Sequence, residues 1–357
     1  MGLSDILGAA ARLGAARPHV MLIELPGGRA VRRSAEDALD DRGWRRAPSP
    51  GAADVLLVAG ETTDPLAPYL DRVWAQLPGP RAQLEIGEAG EVEAALDGVV
   101  AHLEDARAQD EDADRRPDPR WVHRADGEPA EPGHMAPAGI PLAEGAQDRD
   151  ALEMDVLRVP FGPALDHWPA GLVMHAELHG DIVADARLTW LGHEGPPATE
   201  SERTARVLDA GASVLALAGD ERRARGVRLL RGQVLARAAD GPGAELEEQL
   251  RAAMARLERL LRSRLMRASL GLPAQIVADQ LAERTVPGAR GSIAALHDAD
   301  LRRTMIGRDV GEVRLLAAAL SPRLWLEIDG VGDATEAPSV GARTRDSAPS
   351  LSREEEA

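Results

Sequence analysis

Four histidines crowd into a short span of this sequence and offer its most visible candidate chemistry: His167, His175, His179 and His193. Imidazole is a common ligand of zinc and other transition metals. Two histidines four positions apart converge on one ion when they lie on a helix, but His175 and His179 fall in a stretch with the alternation of a β-hairpin. His167, His175 and His179 are therefore weak metal candidates, and we predict no bound metal and solvent-facing imidazole rings.

The stretch Pro26-Gly27-Gly28 is a second candidate, because it follows an apolar strand and precedes a helix. Backbone N–H groups in such a turn can hold an anion, and three arginines follow closely: Arg29, Arg32 and Arg33. The stretch lacks the Lys-Ser/Thr pair of a P-loop and the third glycine of a dinucleotide fingerprint. We interpret Pro26, Gly27, Gly28 and Arg29 as a possible anion loop for a phosphate or a carboxylate. No Ser-His-Asp elbow of the G-x-S-x-G kind is present, so no catalytic residue is predicted.

The composition excludes several classes of function. A formal net charge of −17 over 357 residues argues against nucleic acid as a main partner and disfavours adhesion to an anionic membrane surface. The absence of cysteine excludes disulfides and thiolate-held metals. All 42 basic residues are arginine and asparagine is absent, which indicates a GC-rich genome. No run approaches the roughly 18 apolar residues that span a bilayer, and residues 2–16 do not resemble a signal peptide. We expect a cytoplasmic protein, soluble or peripheral on the inner face of the cell membrane.

The elements that would position the Pro26–Arg29 stretch alternate between strands and helices. Continuous apolar runs predict two buried strands, His19–Leu25 and Asp54–Ala59, and Gln83–Ile86 is predicted as a weaker third strand. Helices are predicted over Val31–Asp41, from a cap at Thr63 or Asp64 to Leu77, and over Glu91–Ala108. This alternation indicates a small parallel α/β sheet.

The histidines lie in a different kind of region. A hairpin is predicted over Leu172–Leu178 and Ile182–Leu188, with His179-Gly180 at the turn. Helices are predicted over Glu200–Leu217, Asp220–Ala238, Ala244–Ser269 and Pro273–Glu283, and Leu324–Ile328 could form a last strand. One of these helices carries an apolar row with arginines around it: Leu250, Met254, Leu257, Leu261 and Leu265. A docking helix or a membrane-surface helix is one interpretation of the row. We favour a core helix with a solvated basic face, helped by pairs such as Glu258 with Arg262.

The stretch from Val20 to Glu91 resembles the cluster-carrying small subunit (the 20-kDa subunit) of NADH:quinone oxidoreductase and its membrane-hydrogenase relatives. The likeness rests on Trp44–Gly60, which matches a family segment like FRASPRQADVMIVAG, and on Thr62–Pro80 with its Thr, Tyr and Pro-x-Pro positions. The family holds an iron–sulfur cluster through cysteines. The matching ligand positions here are Leu25, Gly28 and Ala89, and the final Pro-Gly-Cys-Pro-Pro motif is missing. The resemblance therefore implies a vestigial cluster site, of which the Pro26–Gly28 turn would be a remnant.

The second half is similar to the start of the large subunit (the 49-kDa subunit) of the same complexes. That family begins like GPQHPxTHGVLRLxLELDGEIV, which matches Gly162-Pro163 and then Gly171–Val183. The family binds a quinone head group through a histidine of this loop and a later tyrosine. The loop here keeps His167 alone, and the only tyrosine is Tyr69 in the first half, so the quinone site does not carry over. The two subunits pack together in such complexes, which makes a fusion physically natural.

These resemblances set our expectations for the whole chain. We expect a small flavodoxin-like parallel sheet domain over 1–108, an acidic Pro/Gly-rich linker over 109–150, a degenerate α+β domain of β-hairpin plus helices over 151–330, and a disordered tail over 331–357. The resemblance implies a redox-inactive structural or regulatory subunit, without a cofactor, that binds antiporter-like or other membrane subunits of an ion-translocating complex. Two alternatives stay open: a soluble ligand-binding regulatory module on the sheet, and an electron-transfer subunit whose cofactor a partner supplies.

Overall fold

A parallel sheet forms the first part of the chain, as predicted. The computed structural model describes residues 14–116, 143–147, 153–192, 195, 197–240, 244–285 and 298–324. The strands of the first sheet are β1 (His19–Glu24), β2 (Arg45–Arg46), β3 (Val55–Ala59) and β4 (Ala82–Ile86). All pair in parallel in the order β2-β1-β3-β4. The three predicted strands are confirmed with ends shifted by one residue, while the two-residue β2 is too short to leave a sequence signal.

Both faces of β1 and β3 are buried, which explains their continuous apolar sequences, whereas the edge strand β4 is buried only at its two ends. The helices of this part of the chain are α1 (Arg29–Arg42), α2 (Ala67–Gln76), α3 (Val92–Asp97), α4 (Val99–Glu104) and α5 (Ala106–Arg115). Val20 and Leu22 of β1 pack in one apolar core with residues of α1, α3 and α4. The alternate residues Met21 and Ile23 pack in another with Leu70 of α2. Successive strand residues point to opposite faces, so β1 contributes to both cores.

The predicted single helix over Glu91–Ala108 is wrong, because the chain forms three short helices there. Gly98 separates α3 from α4, and the Asp105 carboxylate caps α5 by accepting from the Ala108 N–H at 3.1 Å. The first seven residues of the predicted linker continue α5 to Arg115. Asp112 holds this helix to the sheet domain by accepting from Arg81 Nε at 2.8 Å. An internal carboxylate–arginine pair therefore orders residues whose composition indicates a linker.

An antiparallel sheet opens the second part of the chain. It contains β5 (Glu144–Gln147), β6 (Glu153–Phe161), β7 (Leu172–His179) and β8 (Ile182–Trp190), in that order across the sheet. The predicted hairpin is confirmed: β7 and β8 pair, and Gly180 takes a positive φ of 65° at the turn. The strands β5 and β6 were not predicted, and β5 lies within the predicted linker. Residues 117–142 and 148–152 of that linker and its border lie outside the described residues.

Six helices follow in the described part of the chain. They are α6 (Glu200–Leu217), α7 (Glu221–Asp240), α8 (Ala244–Leu261), α9 (Arg264–Thr285), α10 (Asp298–Met305) and α11 (Val310–Leu320). The prediction of α6 is confirmed to the residue. The predicted helix over Ala244–Ser269 is wrong at its end, because the Ser263 hydroxyl accepts from the Met266 N–H and starts a new helix there. Gly271, with φ of 55°, then kinks α9 just before Pro273.

The apolar row on α8 is mostly core, as we favoured. Leu250, Met254, Leu257 and Leu261 are buried among α6, α7 and α9, and Glu258 pairs with Arg262 at 2.9 Å. Leu265 is the exception, since it belongs to the next helix and is 70% exposed. The new helix start turns it away from the row.

All described residues fall within one compact unit that spans residues 1–326. The predicted strand over Leu324–Ile328 lies outside the described residues except for Leu324, which follows a short 3-10 turn. The predicted tail over 331–357 also lies outside them. No helix in the described part of the chain is long and apolar enough to cross a membrane. The mixed fold class is that expected from the sequence.

Candidate functional site

A network of buried ion pairs lies where α1 meets the second half of the chain. Arg29, Arg32, Arg33 and Glu36 recur at helical spacing and share one face of α1. The helix α1 follows β1 directly, so this face begins at the carboxyl end of that strand. It packs against α6 and α7, which carry Asp209 and Arg231. We call the nine side chains of this contact the buried charge cluster: Glu24, Arg32, Arg33, Glu36, Arg46, Asp166, Glu202, Asp209 and Arg231.

Glu36 is the centre of the cluster on the α1 side. Its Oε2 accepts from Arg32 Nη1 at 2.8 Å and from Arg231 Nη1 at 2.5 Å. Its Oε1 accepts from Arg46 Nη1 at 2.7 Å. Burial alone would raise the pKa of Glu36, but the charges of Arg32, Arg231 and Arg46 together hold that pKa well below its usual value. Glu36 is therefore an ionised carboxylate shared by three guanidinium groups.

Asp209 has the same role on the α6 side. Its Oδ2 accepts from Arg33 Nη2 at 2.7 Å and lies 2.9 Å from Arg32 Nη2, while its Oδ1 accepts from Arg231 Nη1 at 2.9 Å. Burial opposes ionisation here too, and the charges of Arg32 and Arg33 overcome it and lower the pKa of Asp209. Arg33 reaches further to Glu202 at 2.8 Å. The arginines of α1 thus find their carboxylates within the chain.

Asp166, His167 and Ser213 extend the cluster toward the second half. Asp166 accepts from Arg46, and His167 Nδ1 lies 3.1 Å from Ser213 Oγ of α6. His167 takes a left-handed φ of 57° and is buried. Burial lowers the pKa of His167 to about 4, against the opposing charge of Asp166. The ring is therefore neutral at neutral pH, and the predicted solvent exposure of His167 is wrong.

The side chains of Ser213, His167 and Asp166 are of the types found in a hydrolytic triad, in which serine is the nucleophile, histidine the base and aspartate the carboxylate. His167 Nε2 lies 3.5 Å from Asp166 Oδ2, too long for a firm hydrogen bond. A general base works best with a pKa near the operating pH, and that of His167 is far below it. Asp166 is also engaged by Arg46. The arrangement is a poor hydrolytic triad and a good structural contact.

A small cavity of ≈ 50 Å³ lies beside these residues. Its lining mixes charged, polar and apolar side chains. The charged and polar ones are Glu24, Arg29, Arg32, Arg46, His167, Arg206, Asp209, Ser213 and Ser321, and the apolar ones are Leu22, Leu165, Trp168, Pro169, Ala170 and Ala318. A cavity needs about 10–15 Å³ for each water that it holds. This one has room for a few waters or one compact ion.

The three positions that correspond to cluster ligands do not fit a thiolate-held cluster. Leu25 is fully buried in the apolar core beside α2. Gly28 packs so tightly on β3 that a Cβ there would lie 1.8 Å from the Ala59 carbonyl oxygen. Ala89 lies apart, beside the second turn of α1, where its carbonyl accepts from Ser34 Oγ at 3.1 Å. These residues supply no metal ligand, and Gly28 has no room for one.

The predicted anion loop is packed against the second half of the chain. Pro26 contacts two glycines, because a Cβ at Gly171 or Gly192 would come within 2.9 Å of the Pro26 ring. The Gly28 N–H donates to the Leu25 carbonyl at 2.9 Å and closes the turn. Arg29 Nε lies 3.4 Å from Glu24 Oε1. An anion bound to Pro26, Gly27, Gly28 and Arg29 stays a prediction.

The histidines are not gathered into a metal site in the described residues. His175 pairs across the sheet with Pro160 and Arg187, and His179 pairs with Ile182 at the hairpin turn. His167 contacts Ser213 instead. No group of three or more His, Cys, Asp or Glu side chains in the described ranges could hold a metal ion. His193 lies outside those ranges.

Sequence reasoning missed most of the buried charge cluster. It singled out Arg32 and Arg33, but not Glu36, Asp209 or Arg231, which give the arginines their partners. A signal was present for two of them: Asp209 stands between Leu208 and Ala210 in a helix of apolar residues, and Arg231 follows Leu229-Leu230. A charged side chain inside an apolar helix run indicates a buried ion pair.

Comparison with protein-family models, with curated proteins and with solved structures finds no match to this chain.

Proposed function

We propose that this protein is a redox-inactive structural or regulatory subunit of a membrane ion-translocating complex. It would be a fused relative of the hydrophilic subunits of NADH:quinone oxidoreductase and membrane hydrogenase. The observation that carries the proposal is the contact of Gly28 with the Ala59 carbonyl, where a Cβ would lie 1.8 Å from the oxygen. A cluster ligand at this position would force the backbone of β1 and β3 apart. On this proposal the chain would have kept the resembling segment while closing the space that a ligand side chain would need.

The contact between the two halves gives further support. In the complexes that the chain resembles, small and large subunits pack against each other. Here the α1 face and the α6–α7 pair meet through Glu36, Asp209 and Arg231, with several guanidinium groups shared by two carboxylates. Removing one partner of such a buried ion pair lowers the free energy of unfolding by about 3–5 kcal/mol. The halves would therefore act as one rigid part of a larger assembly.

The membrane partner follows from the same proposal. No described helix can cross a bilayer, and the formal charge of −17 opposes direct binding to anionic lipid. Attachment would therefore be through protein contacts with antiporter-like or other membrane subunits. The partner would offer a basic surface on the side that faces this chain.

The test is affinity purification of the tagged full chain from gently solubilised native membranes, with companions identified by mass spectrometry. We expect membrane subunits in a stable ratio to the tagged chain. An untagged strain controls for background, and the Gly90→Ala variant controls for the effect of an innocuous substitution, since a Cβ at Gly90 meets nothing within 4 Å. Recovery of the chain alone, and only from the soluble fraction, would overturn the proposal.

Redox inactivity needs a separate test. The variant with Leu25→Cys, Gly28→Cys and Ala89→Cys restores a thiol at each resembling position. Anaerobic reconstitution with iron and sulfide should leave it without the absorption and paramagnetic signals of a cluster, because Gly28 lacks space and Ala89 lies apart. The variant with Leu25→Cys and Ala89→Cys alone is the matched control. A reducible cluster that requires all three cysteines would contradict the proposed loss of the site.

A further inference from the structure

The corner between α8 and α9 presents an apolar side chain and many arginines to solvent. Leu265, in the first turn of α9, is the most exposed large apolar side chain in the described part of the chain. One exposed leucine is ordinary on a protein surface, but the charges around this one are not. The stretch from Arg251 to Arg267 has six arginines and one acidic residue, in a chain whose formal net charge is −17.

Four of these six arginines have no carboxylate partner in the described part of the chain. Arg251 pairs with Glu247 at 3.0 Å, and Arg262 pairs with Glu258 at 2.9 Å. The other four are exposed and form no ion pair with a described residue: Arg256, Arg259, Arg264 and Arg267. We call these four arginines and Leu265 the basic corner. Acidic residues outnumber arginines by 59 to 42 over the whole chain, so the missing partners reflect this surface and not a shortage of carboxylates.

The end of α4 and the helix α5 form a surface of the opposite composition. The stretch from Glu104 to Asp114 has six acidic residues and one arginine. Asp112 of this stretch faces inward and pairs with Arg81 at 2.8 Å. Three others are exposed and form no ion pair with a described residue: Glu104, Asp110 and Asp114. This surface therefore lacks cations, as the basic corner lacks carboxylates.

The two surfaces match in charge and in apolar content. Asp110 and Asp114 are four positions apart and share one face of α5, with Ala106 and Ala113 exposed on the same helix. Guanidinium groups pair well with carboxylates, and the alanine methyl groups offer Leu265 an apolar contact. Two chains of net charge −17 repel each other at a distance, but salt at about 0.1 M screens charges more than about 10 Å apart. Contacts between the matched surfaces then decide whether two copies associate.

We propose that the basic corner binds α5 of a second copy of this chain. A second copy is the occupant that the charge pattern itself supplies, because each chain that carries the basic corner also carries its acidic counterpart. The contact joins two different surfaces, so it either closes as a reciprocal pair or continues as an open row of copies. Both surfaces are small, and the association is reversible, as in transient complexes. This inference goes beyond the structural role proposed above and does not depend on it.

The first measurement is sedimentation equilibrium of the purified full chain over a series of protein concentrations. We expect reversible self-association at about 0.1 M salt and its loss at about 1 M, where the screening length falls to about 3 Å. Leu265→Ala should weaken the association without changing charge. A chain that stays monomeric at the lower salt concentration would overturn the proposal, and so would association that is undiminished at the higher one.

Two charge-reversal variants connect the association to the two surfaces. The corner variant has Arg264→Glu and Arg267→Glu, and the α5 variant has Asp110→Arg and Asp114→Arg. Each should weaken self-association by about tenfold or more, because each places like charges face to face. An equimolar mixture of the two variants should associate again, since each surface then meets opposite charges on the other variant.

A matched control separates the contact from the effect of net charge. Arg45→Glu with Arg187→Glu changes the net charge as the corner variant does, and both residues are exposed outside α5, α8 and α9. This control should associate like the parent chain. Circular dichroism checks folding, and renewed association in the mixture excludes misfolding as the cause of the losses. Equal weakening in the control, or no association in the mixture, would contradict the proposal.

An anionic lipid surface is the other occupant that exposed arginines and a leucine could meet. Cosedimentation of the full chain with phosphatidylserine vesicles tests it, with phosphatidylcholine vesicles as the uncharged control. We expect no more binding to the anionic vesicles than to the uncharged ones. Binding that the corner variant abolishes, by a parent chain that does not self-associate, would assign the basic corner to lipid and overturn the proposal.

Discussion

Arg231 of α7 donates to Glu36 of α1 at 2.5 Å across 195 positions of sequence. The Arg231 side chain is 1% exposed and the Glu36 side chain 3% exposed, so this ion pair is buried on both sides. The same Arg231 Nη1 also reaches Asp209 of α6 at 2.9 Å. One arginine thus connects the parallel-sheet half to two helices of the second half.

Removing the shared carboxylate should destabilise the protein strongly. Glu36→Gln takes the negative charge away from Arg32, Arg46 and Arg231, and we expect a loss of about 3–5 kcal/mol in the free energy of unfolding. Urea unfolding at pH 7 measures it. The control is Glu93→Gln, whose side chain is 64% exposed where it pairs with Arg42 and which should cost no more than about 1 kcal/mol. Equal losses of unfolding free energy in the two variants would show that the buried charge cluster stabilises the protein no more than an exposed ion pair does.

The cluster should make stability fall in acid. The pKa values of Glu36 and Asp209 are lowered in the folded chain from ordinary values of 4.5 and 3.8. The unfolded chain therefore binds more protons once the pH drops below those values, so their stabilisation is full above them and is lost as the pH falls further. Urea unfolding at a series of pH values should show the decline. Glu36→Gln should make it shallower, and an unchanged slope in that variant would contradict the assignment to Glu36.

The His167 ring should stay neutral in mildly acidic solution. Burial lowers its pKa from 6.5 to about 4, so the folded chain takes up this proton later than the unfolded chain does. Its contribution to stability is present above pH 6.5 and is lost between 6.5 and about 4. Nuclear magnetic resonance titration of the imidazole measures the pKa directly. His167→Asn, which tolerates the left-handed backbone, supplies the assignment, and a measured pKa near 6.5 would contradict the burial of the ring.

The close approach of Gly28 to β3 should tolerate no side chain. Gly28→Ala places a Cβ 1.8 Å from the Ala59 oxygen, so strands or helix must shift, at a cost of at least about 1–3 kcal/mol. Gly90→Ala, with open space around the new carbon, should stay within about 0.5 kcal/mol of the parent chain. Thermal and urea unfolding compare the two. Similar stabilities would mean that the β1–β3 edge is looser than the contact indicates.

Two leucines of the apolar row should behave differently. Leu261 is fully buried in the helical core, whereas Leu265 is 70% exposed. We expect Leu261→Ala to cost about 2–5 kcal/mol and Leu265→Ala to change stability by less than about 0.5 kcal/mol. Urea unfolding of the two variants separates core from surface. A large loss of stability in Leu265→Ala would mean that Leu265 is buried with the rest of the apolar row, as in a single continuous core helix.

The secondary structure was largely accessible from the sequence, because it depends on local patterns. Continuous apolar runs predicted β1 and β3, a weaker signal predicted β4, alternation predicted the β7–β8 hairpin, and 3.6-residue periodicity predicted α6. The helix boundaries that the prediction missed also depend on single side chains. The Asp105 and Ser263 side chains end one helix and start the next. Hydrophobic periodicity alone does not reveal such caps. The edge strand β5 had no pattern of its own.

The sequence by itself determined β1, β3, β4, the β7–β8 hairpin and several helices, together with the lack of thiol ligands and the excess of acidic charge. Only the tertiary structure decided which charges are buried. The apolar neighbours of Asp209 and Arg231 indicate burial but not the partner, and Glu36 looks like an ordinary residue of a solvated helix face until α1 packs on α6 and α7 and removes the water. That packing joins segments 195 positions apart, and a charge pattern within one helix does not specify the partner helix. Burial then turns these side chains into a shared ion network, because each charge must find a partner once water is excluded.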